Sequence, residues 1–295
     1  MNIISSNGIN ERQISEKCLK LLAAQRQLYR DCKNIDFLVF FFSVFVPLIC
    51  AVVQTYFTSS NTIIAGMYIL SLTGMFIGIF TTRYVEKVQE KASTIQVLFD
   101  LEVYQLPWDD KLFGKNIELT ALIAEKSEKI LSYNKEHESL LDWYPIKYDS
   151  VSLKEAIFLC QKANIRWDSK IRFLYKWSIC ILIGGVVLFI LMNDINQNNS
   201  IPGFLSRLVF IIPLMQWLLT KVSSLNKDIS RLENLKQQFL SDSDPNEEEL
   251  LVNQSSIFVH RRECTLIPEW FYKINRKKQE HSMKIIADNE INNDE

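Results

Sequence analysis

Residues 177–192 read WSICILIGGVVLFILM, an apolar stretch without a single charged side chain. Three further apolar stretches occupy residues 37–57, 63–81 and 204–220. Each approaches the roughly 20 residues that a helix needs to cross the hydrocarbon core of a bilayer. The stretches form two pairs, because only the short connections 58–62 and 193–203 separate the members of each pair. The sequence therefore predicts an all-α, polytopic membrane protein with two transmembrane helical hairpins.

The distribution of charge predicts which side of the membrane each segment faces. The connection 58–62 carries no charge and the connection 193–203 carries only Asp194, whereas the other segments hold nearly all the Lys and Arg. Such segments are typically cytoplasmic. We expect an N-terminal cytoplasmic helix (1–36), a first transmembrane hairpin (37–81), a cytoplasmic helical region (82–176), a second hairpin (177–220) and C-terminal cytoplasmic helices with a tail (221–295). Both termini then lie in the cytoplasm.

Composition narrows the classes of function. The formal net charge of -1 over 295 residues argues against a nucleic-acid binder. The six cysteines are scattered without CxxC spacing, which argues against a disulfide framework. The three histidines lie far apart, and His260 with Cys264 lacks the further ligands of a zinc site. We expect no enzymatic activity, no catalytic residue, no metal and no cofactor.

Local signals divide the charged segments into helices. Residues 8–36 are expected to be helical, residues 152–192 to form one long helix, and residues 204–239 another. Asp244, Pro245 and Glu247 have the pattern of an N-cap, a first-turn proline and a capping-box glutamate. A last amphipathic helix is expected at residues 270–283, followed by a disordered tail at 286–295.

Several charged segments, in a fixed order around the four stretches, resemble one bacterial family. They are LLAAQRQLY (21–29), IQVLFD (95–100), LPWD (106–109), CQKANIRWDSK (160–170), HRR (260–262) and IPEWFY (267–272). In this order they resemble the SMODS-associating four-transmembrane effector family, and the resemblance covers nearly the whole chain.

The resemblance implies a location and a function. It implies an effector of the bacterial inner membrane that forms pores or disrupts the bilayer, acting beside synthases of nucleotide second messengers in anti-phage defence. Depolarisation and growth arrest would follow. The implied partners are the lipid bilayer, further copies of the chain and a cyclic (oligo)nucleotide. A rival interpretation is a non-conducting membrane-anchored sensor or adaptor.

Charged residues precede two of the apolar stretches. The region most suited to a ligand or trigger role contains Arg166, Trp167, Asp168, Lys170 and Arg172. A second basic group, Arg26, Arg30 and Lys33, precedes the first stretch. Arg and Lys suit a phosphate-bearing messenger, but they equally suit anionic lipid headgroups. The four-residue spacing of Asp168 and Arg172 also fits an ion pair on a helix surface.

Small and polar residues within the stretches allow two interpretations each. The small residues, which permit close helix packing in an oligomer or within a hairpin, are Gly66, Gly74, Gly78 and Gly184. The polar residues, which suit a pore lining or hydrogen bonds between helices, are Gln54, Ser71, Thr73, Arg207 and Gln216. Arg207 also fits a side chain that extends to the outer headgroups. Because these polar residues are few, a pore would need several copies of the chain.

Overall fold

Helices make up nearly all of the regular structure of the chain. The computed structural model describes residues 6–46, 49, 61–115, 118–141, 143–196, 201–241 and 245–292, and no β-strand occurs within these ranges. The all-α class is therefore confirmed for this part of the chain.

The N-terminal segment contains two helices rather than the single helix expected at residues 8–36. Helix α1 spans Ile9–Gln13 and α2 spans Glu16–Phe40. The break lies at Ser15, whose extended backbone allows its side chain to accept a hydrogen bond from the N–H of Cys18. A serine in this N-cap position satisfies an otherwise unpaired amide, so it starts the second helix. A π-helical turn, Phe41–Phe45, extends α2.

Helix α3, Asn61–Tyr104, runs from the second apolar stretch into the charged region without a break. It packs against α2, where Ala23 and Ala24 on α2 and Ala92 and Ser93 on α3 are fully buried. Their small side chains permit the two backbones to approach closely. Gln105 ends α3 with a positive φ of 58°, and Pro107 follows.

Short helices connect the two halves of the chain. They are α4, Asp110–Phe113; α5, Thr120–Leu131; α6, Asn134–Glu138; and a 3₁₀ turn, Ile146–Ser150. Helix α5 packs on α2. Helix α4 packs on the later helix Glu247–Glu263, and the 3₁₀ turn packs on α1 and on the later helix Leu153–Asn196.

The second half contains two long helices that pack against each other. Helix α7, Leu153–Asn196, confirms the expected single helix, and α8 spans Ile201–Ser241. Two shorter helices follow: α9, Glu247–Glu263, and α10, Glu269–Asn292. Helix α9 packs on α3, α7 and α8, and α10 packs on α7.

Two predictions about the C-terminal helices were wrong in detail. The capping box of α9 is formed by Asn246 and Glu249, not by Asp244 and Glu247. Asp244 itself lies outside the described residues. Helix α10 continues to Asn292, so residues 286–292 are helical where a disordered tail was expected.

Three buried clusters connect these helices. The largest lies in the charged half and joins residues of α1 to α5 with α7, α8 and α9. A second cluster joins α7 and α8 to the start of α10, and includes Ile171, Tyr175, Leu225 and Phe271. A third is small, with Val44, Ile183 and Leu214 at its centre. The charged half therefore contains most of the core.

Outside these clusters the apolar stretches expose large side chains. The exposed positions include Ile69, Phe76 and Phe80 on α3, Ile181, Leu182, Leu188 and Phe189 on α7, and Ile212 and Leu219 on α8. Among the described side chains, the segment Leu153–Phe189 is the one that is long and apolar enough to cross a bilayer, and only 28% of its apolar window is buried. A core helix of a soluble protein would be mostly buried, so this segment has the exposure of a lipid-facing helix.

A substitution at Phe99 tests whether the largest cluster is the core of the fold. Its ring is fully buried and packs on Trp143 and Tyr144. Replacing a buried Phe by Ala removes about 3–5 kcal/mol, so we expect Phe99→Ala to lower the unfolding temperature of the detergent-solubilised protein by about 10 °C. Circular dichroism at 222 nm measures this. Phe173→Ala, at a half-exposed ring, is the matched control and should change little; equal shifts would contradict the assignment of the core.

Candidate functional site

The loop at residues 264–268, between α9 and α10, lies against α7 and α8 and is fixed there by one arginine. Arg172 on α7 donates from Nε to Asp168 Oδ2 at 2.9 Å and from Nη1 to Asp228 Oδ2 on α8 at 2.9 Å. The same Nη1 donates to the carbonyl oxygen of Thr265 at 2.8 Å. One guanidinium thus joins both long helices to the loop.

Two further contacts complete this group, which we call the Arg172 cluster (Asp168, Arg172, Asp228, His260 and the backbone of Thr265). His260 Nε2 lies 2.6 Å from Asp168 Oδ2. The N–H of Thr265 donates to Asp228 Oδ2 at 2.8 Å. Both the amide and the carbonyl of Thr265 are therefore engaged, so the position of the loop depends on the charges of α7 and α8.

The charges of the cluster are buried together. The side chains of Arg172 and Asp228 are 3% and 5% exposed. Burial by itself would raise the pKa of Asp168, but Arg172 and His260 outweigh burial and hold the pKa of this carboxyl well below its usual value. Burial would likewise lower the pKa of Arg172, but Asp168 outweighs it and the pKa is raised. The ion pair is therefore charged at every physiological pH.

A second polar group, the Asp100 cluster (Asp100, Tyr144, Gln254 and Arg261), lies on the other side of α9. Asp100 is fully buried on α3. It accepts hydrogen bonds from Tyr144 Oη at 2.6 Å, from Gln254 Nε2 at 2.7 Å and from Arg261 Nη1. Because His260 and Arg261 are neighbours, the end of α9 contacts both clusters at once.

The structure places the five predicted trigger residues in different surroundings. Asp168 and Arg172 lie together in the cluster, as their spacing predicts, but Arg172 is buried and Asp168 partly buried rather than on an open helix surface. Arg166 and Trp167 are partly buried elsewhere on α7. Lys170 is exposed and donates to Ser282 Oγ on α10 at 3.3 Å.

The basic residues before the first apolar stretch contact other helices of the charged half. Arg26 donates to the hydroxyl and the carbonyl of Ser139. Arg30 contacts both oxygens of Glu136 at 3.0 and 3.1 Å. Lys33 pairs with Glu269 at 2.9 Å and lies over the ring of Tyr272.

The predicted positions within the apolar stretches are described only in part. A Cβ added at Gly66 or Gly184 would meet nothing within 4 Å, so these surfaces are open in the single chain. Thr73 is exposed and donates to the carbonyl of Ile69, and Gln216 is exposed. Gln54 lies outside the described residues. Four others lie in helices, but their surroundings are not among the described features: Ser71, Gly74, Gly78 and Arg207.

Sequence reasoning missed several members of the two clusters. His260 and Arg261 stand in the HRR segment and Asp100 ends the IQVLFD segment, so a signal for them existed in those motifs. Asp228 lies in a charged helix without any distinguishing pattern. Its role depends on a contact with Arg172 across 56 residues, which no local spacing reveals.

The chemistry of the clusters is that of buried ion pairs. No group of three or more potential metal ligands occurs among the described residues. A cavity of about 510 Å³ lies at the start of α9, where its lining includes Asn246, Glu248 and Glu249. Its carboxylates would repel a phosphate. The ion pairs of the Arg172 and Asp100 clusters can hold the helices in place, and they can break or re-form when the helices change position.

Comparison with known proteins gives one family and one curated relative. The family model described as "SMODS-associating 4TM effector domain" matches residues 7–289. A protein of Bacillus cereus (strain VD146), named "Probable CBASS effector molecule", is 26% identical over 290 residues, which cover 92% of this chain and 95% of the relative. No solved structure matches. The family match supports membrane association and the resemblance drawn from the motifs.

The pH dependence of thermal stability tests the role of charge in the Arg172 cluster. Because the pKa of Asp168 is lower in the folded state than the value of about 3.9 in an unfolded chain, its carboxylate stabilises the fold above that value, and this stabilisation is lost as the pH falls. We expect Asp168→Asn to lower the unfolding temperature at pH 7, and the difference from the unmodified protein to shrink below about pH 4.

Unfolding of the detergent-solubilised protein from pH 3 to 7, followed by circular dichroism, measures this difference. Glu248→Gln, at an exposed carboxylate of α9, is the control and should show no such pattern. If the difference in unfolding temperature between Asp168→Asn and the unmodified protein does not change with pH, the charge of Asp168 is excluded as the cause of that difference.

Proposed function

The chain belongs to the SMODS-associating 4TM effector family, and from that premise we propose that it is a membrane effector of a cyclic-nucleotide anti-phage system. On activation it permeabilises the inner membrane of the infected cell and stops growth. The full-length match to a relative named as a CBASS effector supports the pathway. The exposed apolar side chains of α3, α7 and α8 support the membrane as the target.

One observation carries the proposed mechanism: α7 is continuous from Leu153 to Asn196. The Arg172 cluster lies on this helix, and the apolar stretch begins at Trp177. Five residues of helix correspond to a rise of about 7.5 Å, so the cluster and the apolar stretch are parts of one rigid element. A movement of the loop at Thr265 would therefore displace the membrane part of α7 directly.

The energetics suit a protein that stays inactive until a signal arrives. Removing one partner of a buried ion pair costs about 3–5 kcal/mol. A difference of about 4 kcal/mol corresponds to a population ratio near 10³, so an intact Arg172 cluster keeps the rearranged state rare. A messenger that binds the rearranged state more tightly shifts this equilibrium.

Conduction would require several copies of the chain. The described polar side chains in the apolar stretches, such as Thr73 and Gln216, are too few to surround a water-filled channel in one chain. The open surfaces at Gly66 and Gly184 suit close helix contact between copies. The chain is not expected to be an enzyme.

The rival function is a sensor or adaptor that binds a partner and conducts nothing. The scarcity of polar side chains in the apolar stretches favours it. The two functions differ in one observable, the membrane potential of cells in which the system is active.

The first experiment tests the membrane topology. Two hairpins with cytoplasmic termini place residues 60 and 197 outside and residue 120 inside. We expect a membrane-impermeant maleimide to label Ser60→Cys and Gln197→Cys in intact spheroplasts, whereas Thr120→Cys should react only after permeabilisation. The unmodified protein gives the background labelling, since Cys18, Cys32 and Cys160 are buried but Cys180 and Cys264 are partly exposed. Labelling of Thr120→Cys in intact spheroplasts would contradict two hairpins.

The second experiment measures the membrane potential of cells that contain the protein. Asp228→Asn removes one charge of the Arg172 cluster, so we expect it to depolarise cells in the absence of phage, as reported by a potential-sensitive dye. The unmodified protein should depolarise them only when a cyclic-nucleotide synthase of its system is activated.

Asp110→Asn, away from the cluster at α4, is the control and should behave like the unmodified protein at equal membrane abundance. Growth arrest with an unchanged potential would exclude permeabilisation and support the adaptor.

A further inference from the structure

The first turns of α10 expose large apolar side chains beside a row of lysines. Trp270 and Ile274 are 56% and 71% exposed, although they belong to a helix that packs against α7. Lys273 and Lys277 are exposed next to them. At 3.6 residues per turn these four side chains fall within about 100° of one another around the helix axis. They therefore form one surface, which we call the Trp270 face.

The opposite side of the same helix is packed. The ring of Phe271 is buried and lies against Tyr175 on α7, with the ring centroids 5.1 Å apart. Gln279 is buried about two turns later. Helix α10 is therefore held by one side, and the chain leaves the Trp270 face uncovered. Single exposed apolar residues are common on soluble surfaces, so the position of this face relative to the membrane decides its meaning.

Two contacts place the start of α10 at the level where the apolar stretches begin. Tyr175, the partner of Phe271, precedes the stretch at residue 177 by two residues, which is a rise of about 3 Å. Lys33, which pairs with Glu269 at 2.9 Å, precedes the stretch at residue 37 by four residues, which is a rise of about 6 Å. The headgroup layer on each side of the hydrocarbon core is about 5–8 Å thick. Helix α10 therefore begins within the depth of that layer.

The course of α10 keeps its first turns near that level. From Phe271 to Ser282 the helix rises by about 16 Å. The partners of these two residues on α7 are Tyr175 and Lys170, and they are separated by a rise of only about 7.5 Å. Helix α10 is therefore oblique to α7, and its distance from the apolar stretches increases slowly along its length.

We propose that the Trp270 face binds the cytoplasmic surface of the membrane, with Trp270 and Ile274 among the lipid headgroups and Lys273 and Lys277 on their phosphates. Tryptophan favours this layer because its ring is apolar and its N–H needs a polar partner. Helices that combine such side chains with lysines lie in the plane of the interface. The long lysine side chains can extend from the helix to the phosphates.

Charge and continuity favour lipid as the occupant of this face. Residues 270–278 contain three exposed lysines and no Asp or Glu, which suits the anionic lipids of a cytoplasmic leaflet. A second copy of the chain would bring the same lysines together in a symmetric contact, where like charges repel. The apolar surface of α7 also continues towards this region, because Trp177 and Ile181 are exposed shortly after Tyr175.

The membrane contact has a mechanical consequence. Helix α10 directly follows the loop at residues 264–268, in which Arg172 engages the carbonyl of Thr265. An α10 bound to lipid fixes one end of that loop relative to the bilayer, while the Arg172 cluster fixes the other end relative to α7 and α8. The inference requires a chain embedded in the membrane, but it requires neither a pore nor a messenger.

Fluorescence quenching by lipid tests this contact with the full chain in nanodiscs of phosphatidylcholine and phosphatidylglycerol. The contribution of Trp270 is the difference in emission between the unmodified protein and Trp270→Phe. We expect phosphatidylcholine that is brominated near the headgroup end of its acyl chains to quench this difference by at least half. The corresponding difference for Trp108→Phe, at a ring beside α4 that donates to Asp110, is the control and should lose less than a tenth.

Reversal of one charge tests the electrostatic part of the contact. Lys277→Glu should reduce the quenching of Trp270 by at least half, because it places a carboxylate among anionic headgroups. Lys129→Glu makes the same change at an exposed position of α5 and should leave the quenching within a tenth. Equal effects in the two variants would overturn a contact with anionic lipid.

Iodide, a quencher that stays in water, distinguishes the other occupants of the face. Quenching of Trp270 by iodide but not by the brominated lipid would show a solvated face and overturn the inference. Protection from both quenchers would overturn it too, and disulfide crosslinking of Ile274→Cys between copies would then identify a second copy of the chain as the occupant.

The potential-sensitive dye separates this inference from the proposed function. Quenching of Trp270 by the brominated lipid in a chain that never depolarises cells would support the membrane contact and contradict permeabilisation. Depolarisation by a chain whose Trp270 is not quenched would overturn the contact and leave the proposed function standing.

Discussion

The guanidinium of Arg172 lies where α7, α8 and the loop at residues 264–268 meet. It contacts a carboxylate on its own helix, a second carboxylate on α8 and the backbone of the loop at residues 264–268. A buried arginine needs such partners, because an unpaired charge at 3% exposure would cost several kcal/mol. The packing of α8 and the position of α10 are therefore both conditions for satisfying a single charge.

The same requirement explains the arrangement of α9. Its last turn presents His260 to Asp168 and Arg261 to Asp100, so it stands between two carboxylates that lie on different long helices. Together the two clusters join α3, α7 and α8 beneath the apolar stretches. A rearrangement in this region would consequently involve all three helices rather than one.

The sequence predicted the features that depend on local pattern and missed those that depend on distant contacts. Helix α7 was predicted as one element because helical periodicity continues from its charged part into the apolar stretch. The pair Asp168–Arg172 follows from its four-residue spacing. Its burial does not, since burial depends on Asp228 and Thr265, which lie far along the chain. The cap at Asn246 was missed because Asp244 with Glu247 has the same three-residue spacing in the sequence as Asn246 with Glu249.

The short separation between the Arg172 cluster and the apolar stretch has a physical consequence. Tyr175 and Ile179 on α7 pack with Leu225 on α8 and with Phe271 on α10, so the cluster continues into an apolar contact of the same three elements. Closely packed side chains change between discrete arrangements rather than deforming gradually. A displacement of α10 must therefore break this contact or carry α7 and α8 with it. Because the buried ion pairs oppose breakage, we expect a displacement of α10 to move the long helices, which extend into the exposed apolar stretches.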